Sequence, residues 1–362
     1  MSNDRITIPI GPQHPALKEP LSFMLTVEGE QVVDSALRLG YVHRGLERIC
    51  QRRSYVQNVH VVERVCGICS HVHSSTYCQA VETLLELEVP PRGLYLRALL
   101  CELERIHSHV LWLGVLAEIL GFTTIFMYTW QDREIVLDIM EELSGGRVAH
   151  AANIVGGVSI DVDEDQIEDI QERLDNLEPQ LARFVDLVHN ERSFQARTRG
   201  VGLLPTGVAR GHCAVGPTAR GSGIDVDVRR DTPYGIYDQL SFSVITVDDG
   251  DVWARAAVRA EETMESLDLC RQLLKGMPKG SIKTRAARRV AAGEVVSRSE
   301  APRGEVVYYV RSDGSEQPAR VKIRTPTLPA LSTLPIQLQG VNTADIPVVL
   351  AGVDLCIACA DR

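Results

Sequence analysis

The chain has 362 residues, and hydrophobic residues make up 44% of them, which is enough to bury one large core or two modest ones. Its net charge is −10 at pH 7, and its Lys and Arg residues are scattered through the sequence, which excludes no fold but argues against a nucleic-acid partner. The sequence begins without a signal-peptide pattern, and its nine cysteines form no secreted disulfide framework, so we expect a reducing compartment.

The first part, residues 1–60, is predicted to contain β structure, because Leu21 to Val42 is rich in β-branched residues around a central Glu-Gly turn. Residues 61–280 are predicted to form a helical core, since apolar residues recur there at helical spacing. The predicted helices are His73 to Val89, Pro91 to Leu120, Thr124 to Leu143, Asp163 to His189 and Asp251 to Lys275.

The most apolar stretch, Leu94 to Leu120, is interrupted by seven ionisable residues, too many for a bilayer span. Two of them, His107 and His109, are two residues apart, so they do not share a helix face, and we expect them to be buried hydrogen-bonding residues. Gly200 to Thr246 is rich in Gly, Pro and Arg. Its pattern leaves order or disorder open, but its length without a helix suggests a function.

Residues 281–362 are predicted to return to β structure, with a strand, a polar turn and a strand between Gly304 and Thr327. The predicted fold class is therefore α+β and mainly helical. A bundle of long helices forms the centre of a single domain over residues 1–362, and small β elements lie near both ends.

Two C-x-x-C pairs, Cys66 with Cys69 and Cys356 with Cys359, stand out. Thiols three residues apart at a helix start lie on one face, and the helix N-terminus favours the thiolate. Four thiolates form a soft metal site, for which structural zinc is the commonest occupant and an iron–sulfur cluster the next. Nearly the whole chain separates the pairs, which is unusual for a zinc ribbon, and the spacing alone leaves these alternatives open.

The residues around these cysteines carry a resemblance. Arg64, Cys66, Gly67, Cys69 and His73, together with Asp354, Cys356, Cys359 and Arg362, resemble the paired motifs of the [NiFe] hydrogenase large subunit. The segments GPQHPALKEP, HRGLER, SGGRV and GPTARGSGIDVDVRRDTPYGIYD are similar to the branch that includes the 49-kDa subunit of respiratory complex I. This combination resembles the energy-converting, membrane-associated hydrogenases, and it implies their large-subunit fold.

The resemblance implies a function in hydrogen chemistry, because the complex I subunit lacks the four cysteines that this chain keeps. We expect a catalytic subunit that reversibly reduces protons to H2 with low-potential, ferredoxin-derived electrons. The alternatives are a complex I-like ion-pumping oxidoreductase subunit that uses the scaffold without nickel, and a zinc-stabilised assembly scaffold.

The implied cofactor is a NiFe(CN)2(CO) dinuclear centre, with nickel held by Cys66, Cys69, Cys356 and Cys359 and iron also held by Cys69 and Cys359. A terminal thiolate such as Cys356 would take the proton when H2 splits. His73 would donate toward a bridging sulfur, and Arg303 would overhang the hydrogen-binding position. The remaining residues implied to contact the cofactor are Arg64, Thr325, Pro326 and Asp354, with Leu355 standing where the family usually has Pro.

Two further residues follow from family positions. Glu19 aligns with the gating glutamate that relays protons to a terminal cysteine. Glu47, in Arg44-Gly45-Leu46-Glu47, matches a glutamate that helps to bind a magnesium or similar ion together with a final His, but Arg362 stands at that final position here. Arginine cannot ligate a cation, so we expect a Glu47–Arg362 salt bridge, worth about 3–5 kcal/mol if it is buried.

The cysteine count also predicts the partners. The five cysteines outside the two pairs, Cys50, Cys78, Cys101, Cys213 and Cys270, are expected to be small core residues. No group of them would hold an iron–sulfur cluster, so electrons must come from another chain. The resemblance implies a small subunit with a [4Fe–4S] cluster, ferredoxin-like electron-transfer subunits and integral membrane ion-translocating subunits, with ferredoxin as donor. This chain would be peripheral, on the cytoplasmic face of the cell membrane.

Overall fold

The computed structural model describes residues 5–14, 17 and 19–362. The chain opens with a three-stranded antiparallel sheet in which β2 pairs with both neighbours, as the predicted strand pair required. Alternate residues of the central strand, Phe23, Leu25 and Val27, are buried, so one face of the sheet joins the core. The strands are β1 (Arg5–Ile10), β2 (Ser22–Glu28) and β3 (Gln31–Arg38).

The next part is helical, and its start signals match the sequence. A capping box between Ser54 and Gln57 begins the second helix, and Pro91 occupies the first turn of the fourth, where its missing N–H costs nothing. The left-handed Gly145 ends the fifth. The helices are α1 (Leu46–Cys50), α2 (Tyr55–Glu63), α3 (Ser70–Leu84), α4 (Pro91–Ile119) and α5 (Thr123–Ser144).

A short hairpin leads into the long amphipathic helix predicted from residue 163, which begins with a capping box between Asp163 and Gln166. Its buried residues, among them Leu174, Leu177 and Leu181, recur at helical spacing. These elements are β4 (Asn153–Ile154), β5 (Gly157–Val158), α6 (Glu164–Asn190) and α7 (Arg192–Thr198).

The Gly-, Pro- and Arg-rich segment, whose order the sequence left open, is ordered. It folds as three short helices and a 3-10 turn at Tyr237–Gln239, and its arginines Arg220 and Arg229 are buried. The following long helix is buried over residues 252–260, which explains the small residues in its first half. The helices are α8 (Thr206–Gly211), α9 (Gly216–Arg220), α10 (Val228–Asp231) and α11 (Val252–Lys275).

The last part combines an antiparallel ribbon with three helices. The predicted strand, turn and strand are present, and a further strand precedes them. A second 3-10 turn lies at Thr343–Asp345, before the penultimate helix. The elements are β6 (Gly293–Ala301), β7 (Gly304–Ser312), β8 (Arg320–Arg324), α12 (Thr327–Leu338), α13 (Ile346–Val353) and α14 (Ile357–Asp361).

Both ends of the chain are built into shared cores. The N-terminal sheet packs with α12, α13 and α14 through residues such as Phe23, Leu334 and Val353. The ribbon of β6, β7 and β8 packs on α2 and α3, and α4, α6 and α11 form the central bundle. The fold is α+β and mainly helical, as predicted. Within the described ranges, no helix combines the length and apolarity that crossing a bilayer needs.

Candidate metal centre

The two cysteine pairs meet in the interior although 290 positions separate Cys66 from Cys356, whose sulfurs lie 3.7 Å apart. The Cys356 and Cys359 sulfurs are 2.8 Å apart. Cys359 also belongs to a second group with Cys69 and His73, whose ligand atoms all lie within 4.8 Å of one another. The first group consists of Cys66, Cys356 and Cys359, so Cys359 is shared and joins the two groups into one cluster. All four thiols are buried.

Local backbone geometry presents these sulfurs, but it differs between the pairs and from the prediction. Cys66 lies in a turn before α3, and only Cys69 reaches the helix, as its N-cap. The N–H groups of Ile68 and Cys69 donate to the Cys66 sulfur at 3.3 and 3.2 Å. In the second pair Cys356 is the N-cap of α14 and Cys359 lies within it. The expectation that both pairs start a helix was therefore wrong for Cys66.

The four buried thiols shift one another's pKa values in different directions. Hydrogen bonds from Cys356, Cys359 and Cys69 hold the pKa of Cys66 well below its ordinary value. Burial and the neighbouring thiols raise the pKa of Cys359 well above it. A bound cation would remove this conflict by stabilising all four thiolates, which is how a soft metal site behaves.

Arg303 is a buried cation beside this cluster. Its Nε donates to the Asp354 carbonyl and its Nη2 to Asp354 Oδ1, both at 3.1 Å, whereas its Nη1 has no hydrogen-bond partner among the described residues. Burial opposes the charge, but Asp354 and the cysteines outweigh it and keep the pKa of Arg303 above its ordinary value. Asp354 itself adopts a left-handed backbone conformation (φ 58°), which Asp tolerates better than most residues.

Close backbone packing fixes the turn that carries Arg303. A Cβ at Gly216, which has a φ of 61°, would lie 2.4 Å from the Arg303 carbonyl oxygen and 2.5 Å from Gly304 Cα. Only glycine fits this approach. The start of α9 therefore packs directly against the backbone of Arg303.

The Nε2 atom of His73 faces the cluster. Its Nδ1 lies 2.8 Å from the hydroxyl of Tyr308, and its Nε2 lies 4.0 Å from the Cys359 sulfur. Burial lowers the pKa of His73 to about 4, and burial raises the pKa of Tyr308 well above its ordinary value. The imidazole is therefore neutral, with Nδ1 against the Tyr308 hydroxyl and Nε2 toward Cys359.

Glu19 contacts the backbone of the second pair. Its Oε2 accepts hydrogen bonds from the N–H of Ile357 and from the N–H of Ala358, the latter at 3.0 Å. Glu19 and Asp354 line a cavity of about 170 Å³ whose other walls are mostly apolar. Glu19 thus lies between this cavity and the start of α14, next to Cys356.

The C-terminal wall of the site holds Thr325 and Pro326, both buried. Thr325 Oγ1 donates to the Cys359 carbonyl at 3.1 Å, and Thr327 Oγ1 accepts from the Cys356 N–H at 3.3 Å. These hydroxyls hold the backbone of the second pair. The sequence reasoning missed Thr327, although it closes the same Thr-Pro-Thr run.

Arg64 is not brought into the cluster. Its side chain is 56% exposed and pairs with Glu63 at 2.9 Å. Its neighbour Arg44 instead spans the two cysteine segments, donating to the carbonyls of Arg64, Val65 and Ala358. Arg64 therefore points away from the cluster, and Arg44 is the arginine whose side chain links the two cysteine segments.

Glu47 and Arg362 are in contact, with Arg362 Nε 3.1 Å from Glu47 Oε1. The contact is a single hydrogen bond, since Arg362 Nη1 donates to the Ala360 carbonyl instead. Glu47 also accepts from Arg320, Lys322 and the Ile323 N–H. The pair is partly buried, and Glu47 is shared among three cations.

The comparisons with known proteins agree with this geometry. The family described as "Respiratory-chain NADH dehydrogenase, 49 Kd subunit" matches residues 120–292 and 284–362, and the family "Nickel-dependent hydrogenase" matches residues 44–134. The chain is 41% identical to the carbon monoxide-induced hydrogenase of Rhodospirillum rubrum, over 98% of this chain and 99% of that protein. It is 42% identical to the alpha subunit of the membrane-bound hydrogenase of Pyrococcus furiosus, over 99% and 87% of the two chains.

Two further relatives are not named hydrogenases. One subunit of the F(420)H(2) dehydrogenase of Methanosarcina mazei is 35% identical over 100% of this chain and 99% of its own. A chain of the membrane-bound sulfane sulfur reductase, an archaeal respiratory membrane complex, superposes with a TM-score of 0.95 at 30% identity, covering all of both chains.

The chain belongs to the [NiFe] hydrogenase and complex I 49-kDa subunit family. Within it, the closed four-cysteine cluster is the feature that suits a nickel-dependent hydrogenase. The donor set fits a soft metal, because the ligand groups found among the described residues are the four buried sulfurs and His73, with one unpartnered Arg303 nitrogen beside them.

Most of the His and Cys residues predicted to have a structural role are buried. His107 Nε2 contacts the Ile68 carbonyl at 3.0 Å and His109 Nε2 contacts Glu262 at 3.1 Å, which confirms both as buried hydrogen-bonding residues. Cys50, Cys78, Cys101 and Cys270 are buried, as expected for core cysteines. Cys213 is exposed, so its assignment to the core was wrong.

Proposed function

We propose that this chain is the catalytic large subunit of a multisubunit, energy-converting [NiFe] hydrogenase that reversibly reduces protons to H2. The observation that carries the proposal is the convergence of Cys66, Cys69, Cys356 and Cys359 in one buried cluster. The similarity to the hydrogenases of Rhodospirillum rubrum and Pyrococcus furiosus over nearly the whole chain supports it.

The proposed occupant is a NiFe(CN)2(CO) centre. Cys66, Cys69, Cys356 and Cys359 would hold nickel, and Cys69 and Cys359 would also hold iron. When bound, this group supplies the two-electron redox chemistry of H2 formation and cleavage.

The protein's own residues have separate tasks around that group. Arg303 would place a fixed positive charge beside the cluster and offer its unpartnered Nη1 to a group bound there, because Asp354 holds the other two donor positions. His73 would donate from Nε2 toward Cys359, which lies 4.0 Å away. The buried thiol of Cys356 needs a nearby carboxylate to exchange its proton with water, and Glu19 is held against the same segment for this purpose.

Electrons would reach the site from other subunits. In the described residues, the groups of three or more potential metal ligands all belong to the four-cysteine cluster and His73, so a second redox centre is expected elsewhere. We propose a small subunit with a [4Fe–4S] cluster, ferredoxin-like electron-transfer subunits and ferredoxin as donor. The membrane-bound relatives support partners in a membrane complex. We propose that these include integral membrane subunits that translocate ions, with this chain peripheral on the cytoplasmic face.

A second candidate is an ion-pumping oxidoreductase subunit that uses the scaffold without nickel. The similarity to the F(420)H(2) dehydrogenase subunit and to the sulfane sulfur reductase favours it. A zinc-stabilised scaffold is the third, since four cysteines also suit tetrahedral zinc.

Metal analysis of the purified complex separates the three. We expect nickel and iron together, with H2 evolution from a reduced low-potential donor. Cys66→Ser should lose nickel, whereas Cys213→Ser, which changes an exposed cysteine outside the cluster, should keep it. Zinc alone, or no metal in an active complex, would overturn the proposal.

A further inference from the structure

A buried ionic network lies beside the Arg303 turn and plays no part in the proposed metal site. It joins α4, α9, α10, α11 and β6, and each member is at most 3% exposed. Burial this complete makes any unbalanced charge costly. Its acidic members are Glu102, Asp227, Glu262 and Glu300, and its basic members are Arg105, Arg220 and Arg229.

The network has one more carboxylate than guanidinium groups. His109, which contacts Glu262, does not supply the missing charge, because burial lowers the pKa of His109 to about 4. Arg259, the next buried cation, stacks on Trp112 with 4.3 Å to the ring centroid. It forms no ion pair among the described residues, but its charge acts on Glu262 and Asp354, so it compensates the Glu262 side of the network. With every carboxyl ionised, the seven directly connected groups carry a net charge of −1, which a single proton would cancel.

The contacts identify where that proton binds. Glu102 accepts from Arg105, Arg229, Tyr237 and Ser266 and is fully compensated. Asp227 is held in a fork by Arg229, with Nε to Oδ1 at 3.0 Å and Nη2 to Oδ2 at 2.8 Å.

Glu262 and Glu300 must then share Arg220, whose Nη1 also lies 3.6 Å from Asp227 Oδ2. Its Nε donates to Glu262 at 2.6 Å, and Glu262 has His109 as a second partner. Glu300 receives Arg220 Nη1 at 2.8 Å and, among the described residues, otherwise only the N–H of Val228 at 3.3 Å. Glu300 is therefore the least compensated carboxylate of the four.

We propose that Glu300 is a proton-binding site, which takes up one proton from the medium to form a neutral carboxyl and releases it again. Burial, together with the negative charge of Asp227, raises the pKa of Glu300 to about 7, within the working range of a cell. Arg220 and Arg105 oppose this rise.

The position of Glu300 links its charge to the metal site. Glu300 lies on β6, three residues before Arg303, and Arg105 holds the carbonyls of Glu300 and Ala301. Arg220 ends α9, whose first residue, Gly216, packs against the Arg303 backbone. A change of charge on Glu300 thus acts on the two segments that hold Arg303 in place.

The site also has a side toward solvent. Tyr234, whose hydroxyl accepts the Glu300 N–H at 3.1 Å, lines a surface groove of about 640 Å³. One side chain, that of Tyr234, therefore separates the backbone of Glu300 from this groove.

Infrared difference spectroscopy of the purified complex across neutral pH tests the proposal. We expect the carbonyl stretch of a protonated carboxyl, shifted in D2O, that disappears as pH rises with a midpoint near 7. Glu300→Gln, which keeps the size of the protonated acid, should abolish this band. Glu294→Gln, on the exposed end of the same strand, is the matched control and should leave it unchanged.

A second variant keeps the test decisive if Glu300→Gln fails to assemble. Asp227→Asn removes the negative charge that disfavours ionised Glu300, so the midpoint should move to lower pH. The proposal is overturned if the wild type shows no titrating carboxyl band, if the band survives in Glu300→Gln, or if Asp227→Asn leaves its midpoint unmoved. None of these readouts requires hydrogenase activity, so they are independent of the proposed function.

Discussion

Arg362 donates from Nε to Oε1 of Glu47 across 3.1 Å, and so joins the second cysteine segment to α1, which precedes the first. Arg320 and Lys322 bring two further positive charges to the other oxygen of the same carboxylate, at 3.2 and 3.1 Å. Glu47 is therefore a hub that ties α1, β8 and α14 together. Loss of the Glu47 carboxylate and loss of one of its cationic partners should therefore lower the free energy of unfolding by different amounts.

Glu47→Gln should destabilise the protein more than Arg362→Ala. Arg362→Ala removes one charged hydrogen bond and leaves Glu47 paired, so we expect a loss of about 1 kcal/mol in the free energy of unfolding. Glu47→Gln leaves three cations without their anion, and about 2–3 kcal/mol is expected. Both losses fall below the value for a fully buried pair, because these side chains are 19% and 16% exposed. Denaturant titration of both variants measures the order, and equal losses would contradict the hub.

The same carboxylate should make the fold sensitive to acid. Burial opposes ionisation of Glu47, but hydrogen bonds from the Ile323 N–H, Lys322 and Arg362 outweigh it and lower the pKa of Glu47. A lowered folded-state pKa adds stability above the unfolded-state pKa of about 4.3, and this stability is lost as pH falls through the folded-state pKa. The stability gap between the wild type and Glu47→Gln should therefore narrow below about pH 4. A gap that stays constant into acid would show that Glu47 is not the titrating group.

Glu19→Gln should stop proton delivery without disturbing the site. The amide oxygen of Gln can still accept from the N–H groups of Ile357 and Ala358, but the side chain cannot carry a proton. We expect H2 production to fall by roughly 10²-fold or more while nickel content stays normal. Glu118→Gln, which changes another carboxylate lining the same cavity, is the control. Unchanged turnover in Glu19→Gln would remove Glu19 from the path.

The long helices could be predicted because their signals are local. Pro91, the capping residue Asp163 and the apolar period of α6 each act within a few residues, and the predicted bounds fall within a few residues of the observed ones. The segment around Arg220 could not be predicted in this way. Its order depends on distant partners such as Glu262 and Glu300, which no local pattern reveals.

The candidate site was likewise predictable from the sequence only where the signal is local. The spacing of each cysteine pair indicates a ligand pair, but the sequence cannot show that a turn positions Cys66 whereas a helix positions Cys359. Similarly, Arg64 and Arg44 are both arginines near the first pair. Only the packing shows that Arg44 spans both cysteine segments while Arg64 points to solvent.

Cys69→Ser and Cys359→Ser should each abolish hydrogen–deuterium exchange and the infrared bands of metal-bound carbon monoxide and cyanide. Each proposed bridging sulfur lies in the group that His73 faces, and serine is too hard a ligand to replace a thiolate there. Cys213→Ser is the control, because this exposed cysteine lies outside the cluster. Persistence of the bands in both variants would show that the bridging assignment is wrong.

Arg303→Lys should separate catalysis from stability. Lysine keeps the positive charge for Asp354, but its single ammonium head cannot hold both the Asp354 carbonyl and carboxylate and also present a third nitrogen to the cluster, as the guanidinium does. We therefore expect H2 turnover to fall by roughly 10²-fold, with nickel content retained.

Asp354→Asn should lower the stability of the fold, because it leaves the Arg303 charge buried without its carboxylate partner. A loss of about 3–5 kcal/mol in the free energy of unfolding follows for such a site. Arg298→Lys, at an exposed position of the same ribbon with a 3.6 Å contact to Glu305, controls for the substitution itself. Turnover, nickel content and thermal midpoint should be measured on all three variants. Full turnover in Arg303→Lys would show that the free nitrogen has no catalytic task, and loss of nickel together with turnover would instead assign Arg303 a structural role.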